Sequence, residues 1–135
     1  MTATQSLTWA DRWIGRPFVP RGRGPEGLDC YGLVREVSRE HFATELPPWD
    51  DYADTRDRAR LAEVVEEAMG KFERVIAPRA GDLVLFRVGG FPCHVGIVVA
   101  KPWFLHTLEG CDSALERWDV AMWARRVEGF YRWIR

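Results

Sequence analysis

The chain has 135 residues, 47% hydrophobic and 29% charged, which is enough for one compact core and too little for two ordinary domains. Nineteen basic residues against 20 acidic ones leave a formal charge of -1 with no extended basic run, which argues against a nucleic-acid partner. The three cysteines, Cys30, Cys93 and Cys111, are irregularly spaced, which argues against a disulfide framework, and with only three histidines any thiol or imidazole chemistry falls on few positions.

The N-terminus has no basic segment followed by an apolar one, so synthesis in the cytoplasm without a signal peptide is expected. The longest apolar run, 95–100, is far below the roughly 20 residues that span a bilayer, so no membrane insertion is expected. Ser6 or Thr8 is the expected cap of a short helix through Ile14, which Gly15-Arg16-Pro17 stops. A loop rich in Gly and Pro, including Arg21-Gly22-Arg23, then runs to Leu28.

From Cys30 the apolar residues Cys30, Leu33, Val34 and Val37 recur at i, i+3, i+4 and i+7, which predicts a helix with Asp29 as its N-cap. Pro47-Pro48 breaks the chain, and residues 49–57 read as an acidic, irregular connection. Leu61, Val64, Val65, Ala68 and Met69 predict a second amphipathic helix over about 57–69, with Gly70 near its end. Beyond Val75 the period becomes alternating. Strands are predicted at 83–88, 94–100 and 103–108, a turn at Glu109-Gly110 leads to 113–118, and the last strand covers 127–134. Helices followed by an antiparallel meander make an α+β arrangement in a single domain, 1–135.

Cys30 sits at the expected first position of its helix, where unpaired N–H groups and the helix dipole favour a thiolate and leave the residue's own N–H free to stabilise an oxyanion. The other reading is a small core residue, which its place on the apolar face allows. On the strand 94–100 alternation puts His94, Gly96 and Val98 on one face, with Gly96 leaving space for a helix end. His106, in the next strand, is a possible cross-strand neighbour of His94 through the Lys101-Pro102 turn. The three read as nucleophile, base and orienter, against the alternative of satisfied structural histidines. A zinc site is disfavoured, because adjacent Cys93 and His94 on a strand point to opposite faces and no C-x-x-C spacing occurs. Cys93, Cys111 and His41 are left with structural or surface roles.

Three blocks resemble the NlpC-type cell-wall cysteine peptidases, a papain-like family. Asp29-Cys30-Tyr31-Gly32-Leu33-Val34 is similar to the family's D-C-x-G-L-V around its nucleophile. Ala80-Gly81-Asp82-Leu83-Val84-Leu85-Phe86 and His94-Val95-Gly96-Ile97-Val98 resemble two further blocks, and Ile14-Gly15-Arg16-Pro17-Phe18 is similar to the segment leading into the Cys loop. The resemblance implies a papain-like fold with the Cys helix packed on an antiparallel sheet. It also implies hydrolysis of peptide bonds in the peptidoglycan stem, by Cys30 as nucleophile, His94 as general base and His106 as the polar third member, with no metal or organic cofactor.

Two positions depart from the family. Phe18 stands where members commonly carry a Tyr whose hydroxyl lies beside the nucleophile, and Tyr31 follows the Cys where many secreted members have Ser. Asp29, Tyr31 and Phe18 are therefore the candidate substrate-binding and oxyanion residues, with the Tyr31 hydroxyl as the replacement donor. The short chain and its segment Val127-Glu128-Gly129-Phe130-Tyr131-Arg132 look like the leaderless peptidases of phage and gene-transfer-agent tails. That likeness implies other tail or baseplate proteins as partners and action in the cell wall from a virion or tail particle. Seven Trp fit such contacts, with at least four expected in the core. Two alternatives stand beside this reading: a tail protein that keeps the fold with little or no turnover, and a thiol amidase or acyltransferase on a non-wall substrate.

Overall fold

In the computed structural model, which describes residues 9–24 and 26–134, the Asp29 carboxylate accepts the Gly32 N–H at 2.8 Å and starts helix α1 (Cys30–Phe42). Gly32 is required there, because a Cβ would collide with the carbonyl oxygen of Gly22, which closes over the first turn. Before α1 the chain forms a 3-10 turn, Asp11–Trp13, and a small hairpin of β1 (Arg23–Gly24) and β2 (Gly27–Leu28). The expected caps Ser6 and Thr8 lie outside the described residues. Helix α2 (Arg58–Met69) begins at Asp57, whose carboxylate accepts the Arg60 N–H at 3.1 Å.

The sheet contains β3 (Phe72–Val75), β4 (Leu83–Val88), β5 (Phe91–Ala100), β6 (Trp103–His106), β7 (Ala114–Arg117) and β8 (Val127–Trp133), with a short helix α3 (Ala121–Ala124) before β8. All its pairings are antiparallel, in the order β3-β8-β4-β5-β6-β7. This confirms the α+β class and corrects the simple meander: β8 returns between β3 and β4, and β3 had no strand signal. Its four residues, Phe72 to Val75, bury only Phe72 fully, so the alternation is too short to stand out. Asp82 fixes the return, receiving both Nε and Nη2 of Arg132 at 2.8 Å while its carboxylate accepts the Arg79 N–H.

Alternation on the strands divides the core by sheet face. On one face Leu85, Val95, Ile97 and Leu105 meet Leu33, Val34 and Val37 of α1. On the other, Val84, Phe86, Val98 and Phe104 pack with Trp118 and Trp123. Among the described residues no helix is long and apolar enough to cross a membrane.

Candidate active site

The N-terminus of α1 brings Cys30 to a cleft that is open to solvent. Phe18, Trp49, Leu61 and Val64 give it apolar walls, and Cys93 and His94 line it from β5. Cys93 and His94 were expected on opposite faces, but the pairing passes from Phe86 with His94 to Arg87 with Pro92, so Cys93 is the extra residue of a β-bulge. The bulge lets both side chains reach the cleft. Among the described residues no group of three or more His, Cys, Asp or Glu side chains is arranged to hold a metal ion.

His94 and His106 are 4% and 2% exposed, and His94 Nε2 lies 2.9 Å from His106 Nδ1. Gly96 permits this approach. A Cβ there would come within 2.9 Å of the Phe104 ring and 3.3 Å of His106 Cβ, so its missing side chain makes room for β6 and not for a helix end, as the sequence suggested.

Beyond His106 the chain of contacts continues to residues without a sequence signal. His106 Nε2 is hydrogen-bonded to a carboxylate oxygen of Glu116, whose other oxygen accepts the Trp123 indole N–H at 3.1 Å. Trp123, 1% exposed, stacks on His94 with ring centroids 5.8 Å apart and meets His106 edge-on at 5.0 Å. Glu116 faces Phe104 across β6 and β7, which makes it the diagonal neighbour of His106. Only that pairing, not a motif, reveals it.

Burial pushes the Cys30 thiol from an ordinary value near 9 up to about 12, with the Asp29 charge adding to the rise. The Val95 N–H and the Arg23 cation oppose it. A helix end stabilises an anion by about 0.3–1 kcal/mol, less than one pKa unit, so the dipole loses to desolvation and the free protein holds a neutral thiol. This corrects the expectation of a favoured thiolate. His94 is held well below the usual imidazole range by burial and then by His106, and burial also lowers His106 against the pull of Glu116. Cys30 and His94 share the cleft but are not hydrogen-bonded to each other in this state.

Asp29 is 2% exposed and its oxygens are committed: one to the Gly32 N–H and to Arg23 Nη1 at 2.6 Å, the other to the Tyr52 hydroxyl. Arg23 also reaches the Pro48 and Trp49 carbonyls, so the Arg-Gly segment read as a plain loop carries a clamp on the chain beside the cleft. The Tyr31 hydroxyl, expected as a replacement oxyanion donor, donates to the Pro47 carbonyl at 2.5 Å in this structure. Phe18 is held beside Leu28 by an isolated bridge and presents a ring without a hydroxyl to the cleft. Trp13, Trp118 and Trp123 are buried, and the other four Trp are half-buried. His41 accepts the Trp13 indole N–H at 2.9 Å, and Cys111 is exposed.

Residues 15–132 match the sequence model of the NlpC/P60 family. The Escherichia coli protein named Murein DD-endopeptidase MepS/Murein LD-carboxypeptidase is 30% identical over 114 residues, covering 84% of this chain and 54% of the relative. A Haemophilus influenzae protein named "Probable endopeptidase" is 34% identical over 97 residues, 70% of this chain and 52% of that one. The chain therefore spans about half the length of these curated relatives. Among solved structures, the NlpC/p60 domain of peptidoglycan hydrolase SagA aligns over 99% of this chain and 100% of its own, with a TM-score of 0.62 at 21% identity. A Staphylococcus aureus NLP/P60 lipoprotein-like protein aligns over 98% of this chain and 41% of its own, with a TM-score of 0.66 at 21% identity.

Proposed function

The chain belongs to the NlpC/P60 family, and from that premise we propose that it is a cysteine peptidase, acting as one catalytic domain, that hydrolyses peptide bonds in peptidoglycan stem peptides. The observation that carries the reading is the single cleft lined by Cys30 at the head of α1 and by His94, with His106 2.9 Å behind His94.

Cys30 is the nucleophile, His94 the general base and His106 the residue that orients it. Since the resting thiol and imidazoles are neutral, His94 takes the thiol proton as sulfur attacks the carbonyl carbon, and the side chains first close the gap between them. The Cys30 backbone N–H, without a helical partner at this first position, faces the developing oxyanion. His94 then returns the proton to the leaving amine, and water releases the acyl group from sulfur. The murein named in the relative from Escherichia coli supports the substrate class.

The proposed setting is the tail of a phage or gene-transfer-agent particle, whose other tail or baseplate proteins carry the enzyme to the wall. It rests on the sequence resemblance of Val127 to Arg132 alone, and mass spectrometry of purified tail particles tests it. A second reading, weak turnover on a retained fold, is favoured by the bare Phe18 ring and the engaged Tyr31 hydroxyl.

Incubation of purified peptidoglycan with wild type and Cys30→Ala, followed by mass spectrometry of muropeptides, tests the activity. New stem-peptide ends with wild type alone are the expected result. Equal products from both proteins would overturn it. Intact wall fragments from a protein whose Cys30 turns over other amides would favour a thiol amidase or acyltransferase.

A further inference from the structure

We propose that Glu116 is a positioning residue for this hydrolysis, setting the proton order of both imidazoles so that His94 offers a bare nitrogen to the nucleophile. The proposal rests on the reading of Cys30 and His94 as nucleophile and base. An ionised carboxylate only accepts hydrogen bonds, so the His106 Nε2 that meets Glu116 carries the hydrogen. Neutral His106 then has a bare Nδ1, which accepts from His94 Nε2–H across 2.9 Å. Neutral His94 is left with Nδ1 as its base atom. Each contact dictates the next, and the direction originates at the Glu116 carboxylate.

Glu116 is itself held, because Trp123 donates its indole N–H to the other carboxylate oxygen at 3.1 Å. The groups around His106 are therefore His94 from β5, Phe104 on its own strand, Glu116 from β7 and Trp123 from α3. The carboxylate also acts during the reaction. As the Cys30 S–H bond breaks, the proton goes to His94 Nδ1, sulfur bonds to the carbonyl carbon and the carbonyl π pair moves to oxygen. The new imidazolium is stabilised through His106 by the Glu116 charge. No proton moves to Glu116, and on collapse of the intermediate the proton on His94 leaves with the amine.

Imidazole 15N NMR of the full chain reads the proton order whether or not the protein is active. Wild type is expected to show His94 and His106 both protonated at Nε2, Glu116→Gln to keep that order through its amide oxygen, and Glu116→Ala to show mixed tautomers at both rings. In muropeptide kinetics Glu116→Ala should lower kcat by about 10- to 100-fold, the range for removing an orienting partner of a functional His, with KM within about 2-fold. Glu116→Gln, which keeps the acceptor but not the charge, should fall between. Wild-type rings protonated at Nδ1, or unaltered tautomers in Glu116→Ala, would overturn the proposal, even if kcat dropped. If Glu116→Ala fails to fold, the wild-type spectrum and Glu116→Gln still decide. Cys30→Ala as active as wild type would defeat the hydrolase reading alone, leaving the NMR result to stand or fall separately.

Discussion

Arg23 Nη1 lies 2.6 Å from Asp29 Oδ1, and the two side chains are 15% and 3% exposed. Asp29 starts α1, so this ion pair joins the β1–β2 hairpin to the residue that sets the position of Cys30. Removing the cation leaves a buried carboxylate with only Tyr52 and the Gly32 N–H. Breaking such a pair costs about 3–5 kcal/mol. Arg23→Met should therefore lower unfolding stability by about 3 kcal/mol in urea titration, and Arg23→Met with Asp29→Asn should recover part of it. A loss below about 1 kcal/mol in the single variant would show that the clamp contributes little.

A thiol raised to about 12 makes Cys30 slow to react with an alkylating reagent at neutral pH in the absence of substrate. The raised value means the folded state prefers the protonated form, so whatever stability burial of the thiol supplies is fully present below pH 9 and is lost as pH rises towards 12. Alkylation by iodoacetamide, followed residue by residue with mass spectrometry, should label exposed Cys111 before Cys30 at pH 7. The Cys30 rate should keep rising above pH 9, where an ordinary thiol levels off. Faster labelling of Cys30 than Cys111 at pH 7 would contradict the neutral resting thiol.

Phe18 and Tyr31 make a paired test of the oxyanion donor. The Tyr31 hydroxyl is spent on Pro47, so Tyr31→Phe should change kcat by less than about 2-fold and cost about 1 kcal/mol of stability for the lost hydrogen bond. Phe18→Tyr places a hydroxyl in the cleft, and since a donor of this kind is worth about 100-fold or more, kcat should rise by at least about 10-fold. Muropeptide release under saturating and limiting substrate separates kcat from KM. A fall in kcat for Tyr31→Phe larger than its stability loss explains would return Tyr31 to the reaction.

How far the sequence could be read follows from the range of each interaction. The helix at Cys30 and the strand at 83–88 were legible because their apolar residues and the Asp29 cap are local, and the helix start and the strand bounds match those observed. The pairing of His94 with His106 was legible because a short hairpin joins their strands. Glu116 was not, since it reaches His106 only through the β6–β7 register. The bulge at Cys93 and the insertion of β8 beside β3 were equally hidden, because both depend on which strands pair. The thiol's protonation was not legible for a different reason: the dipole can be read from position, whereas desolvation depends on what covers the sulfur.

Gly96 supplies the last test, because it separates packing from chemistry at one atom. An added Cβ would lie 2.9 Å from Phe104 Cδ2, 3.1 Å from the Leu105 carbonyl oxygen and 3.3 Å from His106 Cβ. The carbonyl belongs to the sheet and cannot withdraw without loosening β5 from β6, so Phe104 and His106 must shift. Overpacking of this kind costs about 1–3 kcal/mol. Gly96→Ala should lower stability by that amount in urea titration. It should also reduce kcat, because His106 is displaced from His94 while Cys30 and the cleft walls stay in place. A variant as stable as wild type with unchanged kcat would mean that β6 accommodates the methyl, and that Gly96 does not set the spacing of the two imidazoles.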